Sequence, residues 1–361
     1  MPTSLLLTAA ALVAASVPMR PAGAQDGDRR REPGEVAYGI TAQAAPRYAA
    51  RGGGDDVARG DSLLRRGRVI EAESAYYDAA RHAPRDPAAR LALGRYLASR
   101  GALRIGAVLM EEARFFGGDA KTIGAELAPV YARLGDYRSL AALPGSPLTS
   151  AERARAEWLR DHAPEAKGPD STRAPYAPDA GGAGTLGRVT LSLGGEAVEA
   201  TIDPAVRGLV LDTAWARRPE DAKAFGARQS GGAPAPVGAA LAVKLGELTL
   251  TNVPTRFAAQ PGGRAAARIG VDVLAALAPT FDERTRTLTL RRGGRVARDL
   301  PGEHLPTVTL AAGVWLASPS LAAGGASAPA SASLSAERAR ALLRGTRWTM
   351  DARRGEVIVE R

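Results

Sequence analysis

The 361-residue chain contains no cysteine. Disulfides, thiolate-ligated metal sites and a lipid-modified N-terminal cysteine are therefore excluded. Histidine is almost as scarce: His82, His162 and His304 stand apart, share no ligand spacing with carboxylates, and point to no metal site and no cofactor. A nucleophile elbow, a phosphate loop and a dinucleotide fingerprint are all absent, and Gly181-Gly-Ala-Gly reads as linker from its position. Aromatics make up only 5% of the chain, and the net charge of +10 comes almost wholly from scattered arginine, since lysine occurs only at 121, 167, 223 and 244. A nucleic-acid partner is not expected, because such binders gather charge on one face and interleave it with stacking aromatics. The excess charge reads as composition bias, with attraction to an anionic envelope surface as the use it could serve.

A membrane-spanning run is lacking as well. Leu5 to Val17 is an apolar stretch of 13 residues, short of a span, followed by Pro18 and the small-x-small pattern Ala22-Gly23-Ala24. Residues 1–24 read as a secretory signal peptide, although no basic residue precedes the run and Arg20 follows it. The mature chain is expected to be exported, periplasmic or secreted, with no transmembrane segment.

Residues 25–56, rich in Gly, Ala, Pro and charge, read as a flexible leader. A repeat then begins. Gly67, Gly101 and Gly135 lie 34 apart, Leu63, Leu97 and Tyr131 keep the same spacing four residues ahead, and Ala79 and Ala113 continue the register. With Gly60 and Gly94 at the small-residue position of a first helix, Glu71-Ala72 opening a second and Pro84 closing the unit, the pattern resembles the tetratricopeptide repeat. The spacing predicts helix pairs over about 57–82, 88–116 and 121–142 and a capping helix over 150–162, within a helical region spanning 57–165. No pair can bury its apolar face alone, so the pairs stack into a short solenoid with a groove. The groove is expected to dock a protein or an extended peptide; the competing reading is a helical spacer.

Residues 166–184, with Pro169, Pro175, Pro178 and terminal glycines, read as a linker. A β-rich domain over 185–298 follows. Alternating apolar residues predict strands near 186–193, 196–203, 208–212, 238–245, 247–251, 253–259 and 286–292, with a short helix at 272–278. Trp215 to Phe225 is assigned to a helix, and the Gly/Pro-rich loop 226–236 is either a cover over a site or a plain surface loop. The rest, 299–361, is a C-terminal extension with low complexity over 318–335, expected to pack loosely. Its end, Arg347-Trp-Thr-Met-Asp-Ala-Arg-Arg-Gly-Glu-Val-Ile-Val, echoes Pro279-Thr-Phe-Asp-Glu-Arg-Thr-Arg-Thr-Leu-Thr-Leu, as a shrunken copy of the β unit would.

One carboxylate interrupts an apolar strand pattern. Asp203 follows Val198, Ala200 and Ile202 and precedes a turn and the apolar strand Gly208 to Leu211. Together with Leu245-Gly-Glu-Leu, Arg268-Ile-Gly-Val-Asp-Val-Leu and the Pro279 segment, this order resembles the retropepsin-like aspartyl proteases over roughly 184–292. The resemblance implies an acid-protease barrel with Asp203 as the catalytic carboxylate, Gly208 after it, and the pair Ile269-Gly270 bracing its loop, while Asp272 and Asp282 take framework positions. Two departures bear on activity. Where the family carries a hydroxyl residue and then Gly, this chain has Pro204 and Ala205, which removes a hydroxyl and an N–H and restricts the backbone. Acid proteolysis also needs a second carboxylate sharing a proton with the first. Residues 304–336 contain neither Asp nor Glu, which leaves no carboxylate there to replicate the motif, so only a homodimer would complete the pair. The alternative assigns Asp203 an ordinary role, capping a turn or pairing with Arg207. The fold class expected is therefore a helical tetratricopeptide-like solenoid joined to a retropepsin-like β barrel. The function expected is binding of a protein or peptide by an exported pseudoenzyme; the alternative is a homodimeric aspartic endopeptidase.

Overall fold

The computed structural model describes residues 53–179, 185–225, 237–310, 313–317, 331–333 and 343–360. The signal-peptide and leader expectations, apart from Gly53–Asp56, the loop 226–236 and most of 318–335 lie outside these residues.

The helical region consists of three helix pairs and a final helix. Helices α1 (Gly53–Arg65) and α2 (Val69–His82) are followed by α3 (Pro87–Ser99) and α4 (Leu103–Phe115), by α5 (Ala120–Leu134) and α6 (Tyr137–Ala142), and by α7 (Ser150–Asp161). Gly67, Gly101 and Gly135 each sit in the turn inside a pair, with φ of +72°, +94° and +70°. Only glycine occupies that region without strain, so the 34-residue period is a period of helix-joining turns. Gly60 lies under the Tyr76 ring, where a Cβ would come within 2.7 Å. Gly94 and Gly106 face each other so closely that a Cβ on either would meet the other's carbonyl oxygen, at 2.9 and 2.7 Å. These small residues let the helices of the first two pairs approach. The first helix begins at Gly53, inside the stretch assigned to the leader. The last is capped by Thr149, one residue before the expected cap, through a reciprocal box with Glu152.

The β region is a closed barrel. Strand β3 (Gly187–Leu193) pairs with β4 (Glu196–Asp203), then β9 (Ala266–Gly270), β5 (Leu209–Leu211), β8 (Leu248–Phe257) and β7 (Val237–Leu245), which returns to β3. The pairings β4–β9 and β5–β8 are parallel and the others antiparallel. Val189, Leu191, Leu193, Val198, Ala200 and Ile202 alternate into its core, beside the fully buried Trp215.

Three expectations are corrected here. The supposed linker supplies β1 (Glu165–Lys167), paired with β8, and β2 (Ser171–Ala177), paired with β3 and with β11 (Thr287–Arg291). Thr172, Ala174 and Tyr176 point inward while Pro175 faces out, so the proline that suggested a linker is accommodated on the exposed side of a strand. Residues 215–225 form a 3₁₀ turn (Thr213–Arg217) and then β6 (Ala222–Phe225) on the edge of β7, rather than one helix. Strand β8 runs unbroken where two strands were expected. Asn252, at φ +56°, is absorbed without a change of register because the Leu241 N–H opposite it is taken by the Asp221 carbonyl.

The C-terminal extension continues the same sheet. β10 (Thr280–Asp282) pairs with β11 on one side and with β15 (Arg347–Asp351) on the other. Beyond β15 come β16 (Glu356–Glu360), β12 (Glu303–Leu310), β13 (Gly313–Ala317) and β14 (Ser331–Ser333). Strand β14 falls inside the low-complexity stretch expected to pack loosely. Trp348 stacks on Phe281 with ring centroids 4.1 Å apart, and Met350, Val357 and Val359 join the barrel's core cluster.

The helical and β regions form one compact unit. Ala239 of β7 is buried among residues of α4 to α7, and Val308 of β12 among residues of α2 to α4. Two arginines tie the regions together: Arg155 Nη1 donates to the Thr255 carbonyl at 3.2 Å, and Arg100 Nη1 donates to the Thr307 and Gly355 carbonyls. Among the described residues, no helix is long and apolar enough to cross a membrane.

Candidate functional site

The parallel pairing of β4 with β9 sets the Asp loop, because it places Asp203, the last residue of β4, opposite Gly270, the last of β9. The chain then turns through Pro204, Ala205 and Val206. One carboxylate oxygen of Asp203 accepts the Ala205 N–H at 2.9 Å, and its carbonyl accepts the Val206 N–H at 3.1 Å. This is an aspartate closing its own turn. The other carboxylate oxygen lies 3.6 Å from Arg268 Nη1. Arg268, not Arg207, is thus its cationic neighbour. Arg268 sits on β9 opposite Thr201, which carries its side chain along the strand to Asp203. Among the described residues, the partners of Asp203 include no second carboxylate.

Behind the turn lies a second anchor. Gly208 takes φ +68°, and its N–H reaches both oxygens of Asp272 at 3.0 Å. The Gly208 carbonyl accepts the Gly270 N–H at 2.7 Å. A Cβ at Gly208 would stand 2.4 Å from the Pro254 carbonyl oxygen, and one at Gly270 would stand 2.2 Å from the Asp272 carboxylate. Both positions therefore require glycine. Ile269 is buried beside Gly270 in the barrel core. Asp272 lies in the first turn of α8 (Val271–Ala275). Burial pushes its carboxyl up from the ordinary value, against the N–H bonds of Gly208 and Val273 and the charge of Arg207. The remaining framework aspartate, Asp282, accepts the N–H groups of Arg284 and Thr285, each at 3.0 Å, and closes the β10–β11 turn.

The helical region reaches the same loop from outside the barrel. Arg133 of α5 is half-buried and donates to the Ala98 carbonyl at 3.2 Å; desolvation, with the charge of Arg207 adding, pushes it down to about 10 while Asp272 opposes. Burial pushes Tyr137 up to about 12, with Arg155 opposing and Asp272 adding. The α7 ring of Trp158 lies 5.7 Å from that of Phe225 on β6. The participation of Arg133, Tyr137, Arg155 and Arg268 was not legible in the sequence, since each lies far along the chain from Asp203 or on the other strand of a pairing.

A groove of about 780 Å³ opens on the helical region between α4, α5 and the start of α6. Arg104, Val108, Glu111, Phe115, Leu134 and Asp136 are among its lining residues. Phe115 is 85% exposed and Val108 58% exposed, on one face of α4. Among the described residues, no group of three His, Asp or Glu is placed to hold a metal ion.

No protein-family model matches the chain, and no curated protein matches it. Solved structures similar to it include a retropepsin-like aspartic protease from Rickettsia conorii, at 9% identity over 36% of this chain and 94% of that one, with a TM-score of 0.22.

Proposed function

We propose that this chain is an exported binding protein in which tetratricopeptide-like helices hold a protein or peptide partner and a retropepsin-like barrel carries a spent catalytic loop. The observation that carries this reading is the state of Asp203. One of its oxygens closes the turn through Ala205, the other faces Arg268, and among the described residues of the chain no carboxylate is its partner. Acid proteolysis needs two carboxylates sharing one proton, which hold and activate a water between them. Within one chain an aspartate committed to its own turn offers no such pair, and a second chain would have to supply the other carboxylate.

The binding half of the reading rests on the groove. Large apolar side chains exposed beside one another favour association, and Phe115 and Val108 stand at the edge of a groove rimmed by Arg104, Glu111 and Asp136. A peptide could lie against the apolar face while its polar groups meet the rim.

The test has two arms on the mature chain, residues 25–361. Cleavage of an unfolded protein mixture from acid to neutral pH is expected to be the same for wild type and Asp203→Asn, at background. Activity that disappears in Asp203→Asn would replace this reading with that of an aspartic endopeptidase. Peptides selected from a random library on the wild-type chain are expected to lose at least about tenfold in affinity on Val108→Glu/Phe115→Glu, equivalent to about 1.4 kcal/mol. Unchanged binding would remove the groove from the proposal.

A further inference from the structure

The C-terminal extension repeats the barrel's neighbouring strands in order and in register. Moving outward from the β10–β15 contact, the order on one side is β10, β11, β2, β3, β4, and on the other β15, β16, β12, β13, β14. The hairpins match at an offset of 69 residues (280 to 349). Thr280, Phe281 and Asp282 then fall on Thr349, Met350 and Asp351, and Arg286 on Gly355. Asp282 accepts two N–H bonds from Arg284 and Thr285, and Asp351 accepts two from Arg353 and Arg354. Arg286 and Gly355 both take left-handed backbone, at φ +53° and +61°.

The next strands match at an offset of 131 (175 to 306). Pro175 pairs with Thr287 as Pro306 pairs with Glu356, and Arg173 pairs with Thr289 as His304 pairs with Ile358. The Tyr176 N–H donates to the Arg286 carbonyl at 2.9 Å, as the Thr307 N–H donates to the Gly355 carbonyl at 2.7 Å. Farther out, Ala177 pairs with Arg188 and Arg188 with Thr201, as Val308 pairs with Trp315 and Trp315 with Ser333.

The centre of this symmetry is visible. In the antiparallel β10–β15 pairing, Thr280 faces Thr349, Phe281 faces Trp348 and Asp282 faces Arg347. That register maps onto itself when the two strands are exchanged at the offset of 69, so a local twofold passes between Thr280 and Thr349. Their hydroxyls meet at 2.7 Å, and both residues are buried. Two separate copies of the chain associating through β10 would set Thr280 against Thr280 of the second copy in the same way, because an isologous contact places one patch on itself.

We propose that residues 303–360 are a second, reduced β unit fused in cis, and that they occupy the place along β10 that a second copy of this chain would need. The chain is its own partner. It stays a monomer, and the homodimer that would bring two Asp203 carboxylates together by this route has no free edge on which to form. The sequence of the second unit agrees. Thr201 corresponds to Ser333, so two residues farther the position of Asp203 corresponds to Ser335, a sequence position beyond the described residues. Ala200-Thr-Ile-Asp203 becomes Ala332-Ser-Leu-Ser335. The second unit has the pattern without the carboxylate.

The inference bears on the Asp203 reading but rests on strand register, and its test reads no proteolysis and no peptide binding. The Met350 N–H donates to the Pro279 carbonyl at 2.9 Å, which makes Thr280 and Thr349 a non-hydrogen-bonded antiparallel pair. Such pairs bring Cα atoms to about 4.5 Å, within the span of a disulfide. The chain has no cysteine, so introduced thiols have no competitors. Three variants of the mature chain, Thr280→Cys, Thr349→Cys and the double variant, are oxidised and run on non-reducing gels, and the wild type is weighed by sedimentation equilibrium. The expected results are a one-chain mass for the wild type, no cross-linked dimer from either single variant, and an internal disulfide in the double variant. A two-chain mass, or a disulfide-linked dimer from Thr280→Cys alone, would overturn the proposal. So would a folded double variant, matched to wild type by circular dichroism, whose thiols stay unpaired under denaturing oxidation-quench analysis.

Discussion

The sharpest physical test of the Asp loop is Gly208→Ala, compared with Gly195→Ala. Both glycines are left-handed, at φ +68° and +81°. They differ in surroundings: a Cβ at Gly195 meets nothing within 4 Å, whereas one at Gly208 stands 2.4 Å from the Pro254 carbonyl oxygen. Gly195→Ala should therefore cost the backbone strain alone, about 1–2 kcal/mol. Gly208→Ala carries the same strain and must also push its backbone off β8. That shift pulls the Gly208 N–H away from Asp272, a bond to a carboxylate worth about 1.5–3 kcal/mol. The expected total is about 3–5 kcal/mol. Urea unfolding of the two variants and wild type, analysed with a common slope, gives the difference directly from the midpoints. If Gly208→Ala falls within about 1 kcal/mol of Gly195→Ala, neither the close approach to Pro254 nor the Asp272 link stabilises the loop as argued.

Trp348→Ala should destabilise the whole β region by about 3–5 kcal/mol, since it removes a fully buried ring stacked on Phe281; an unchanged thermal midpoint would show that the extension is not part of the core. Asp282 and Asp272 should respond to pH in opposite senses. Burial alone would raise Asp282, but the N–H bonds of Thr285 and Arg284 and the charge of Arg347 hold it below its ordinary value, so its contribution is present above that value and is lost as pH falls through the folded value. Burial raises Asp272, so its contribution is present at low pH and is lost as pH rises through the folded value. Urea midpoints from about pH 2 to about pH 7 should show Asp282→Asn flattening the acid loss and Asp272→Asn removing a decline on the rising side; identical profiles for both variants would refute the assignment.

Much of this arrangement could be read from the chain. The 34-residue glycine period located the helix pairs because each glycine fills a left-handed turn that other residues avoid. Strict alternation located β3 and β4 because each buries one face. The same alternation was present in β2, but Pro175 and its neighbouring prolines outweighed it; only the pairing with β3 and β11 shows that the proline faces outward. The site was half legible. Asp203, Gly208 and Gly270 are local to their turns and strand ends, whereas Arg268 acts through a parallel pairing and Arg133, Tyr137 and Arg155 through packing between regions. No short-range pattern carries contacts of that kind.

The loop also explains why Pro204 and Ala205 fit beside Asp203. Pro204 is buried at the first corner of the turn, a position that suits its fixed φ and needs no N–H. Ala205 is not left-handed, so it needs no glycine, and its N–H closes onto Asp203. The pair makes a self-contained turn whose hydrogen bonds stay within four residues. The anchors that remain glycine, Gly208 and Gly270, are those set by contact with Pro254 and Asp272 of the same barrel. Gly208 and Gly270 are fixed by the barrel's own packing, whereas Pro204 and Ala205 belong to a turn that closes on itself.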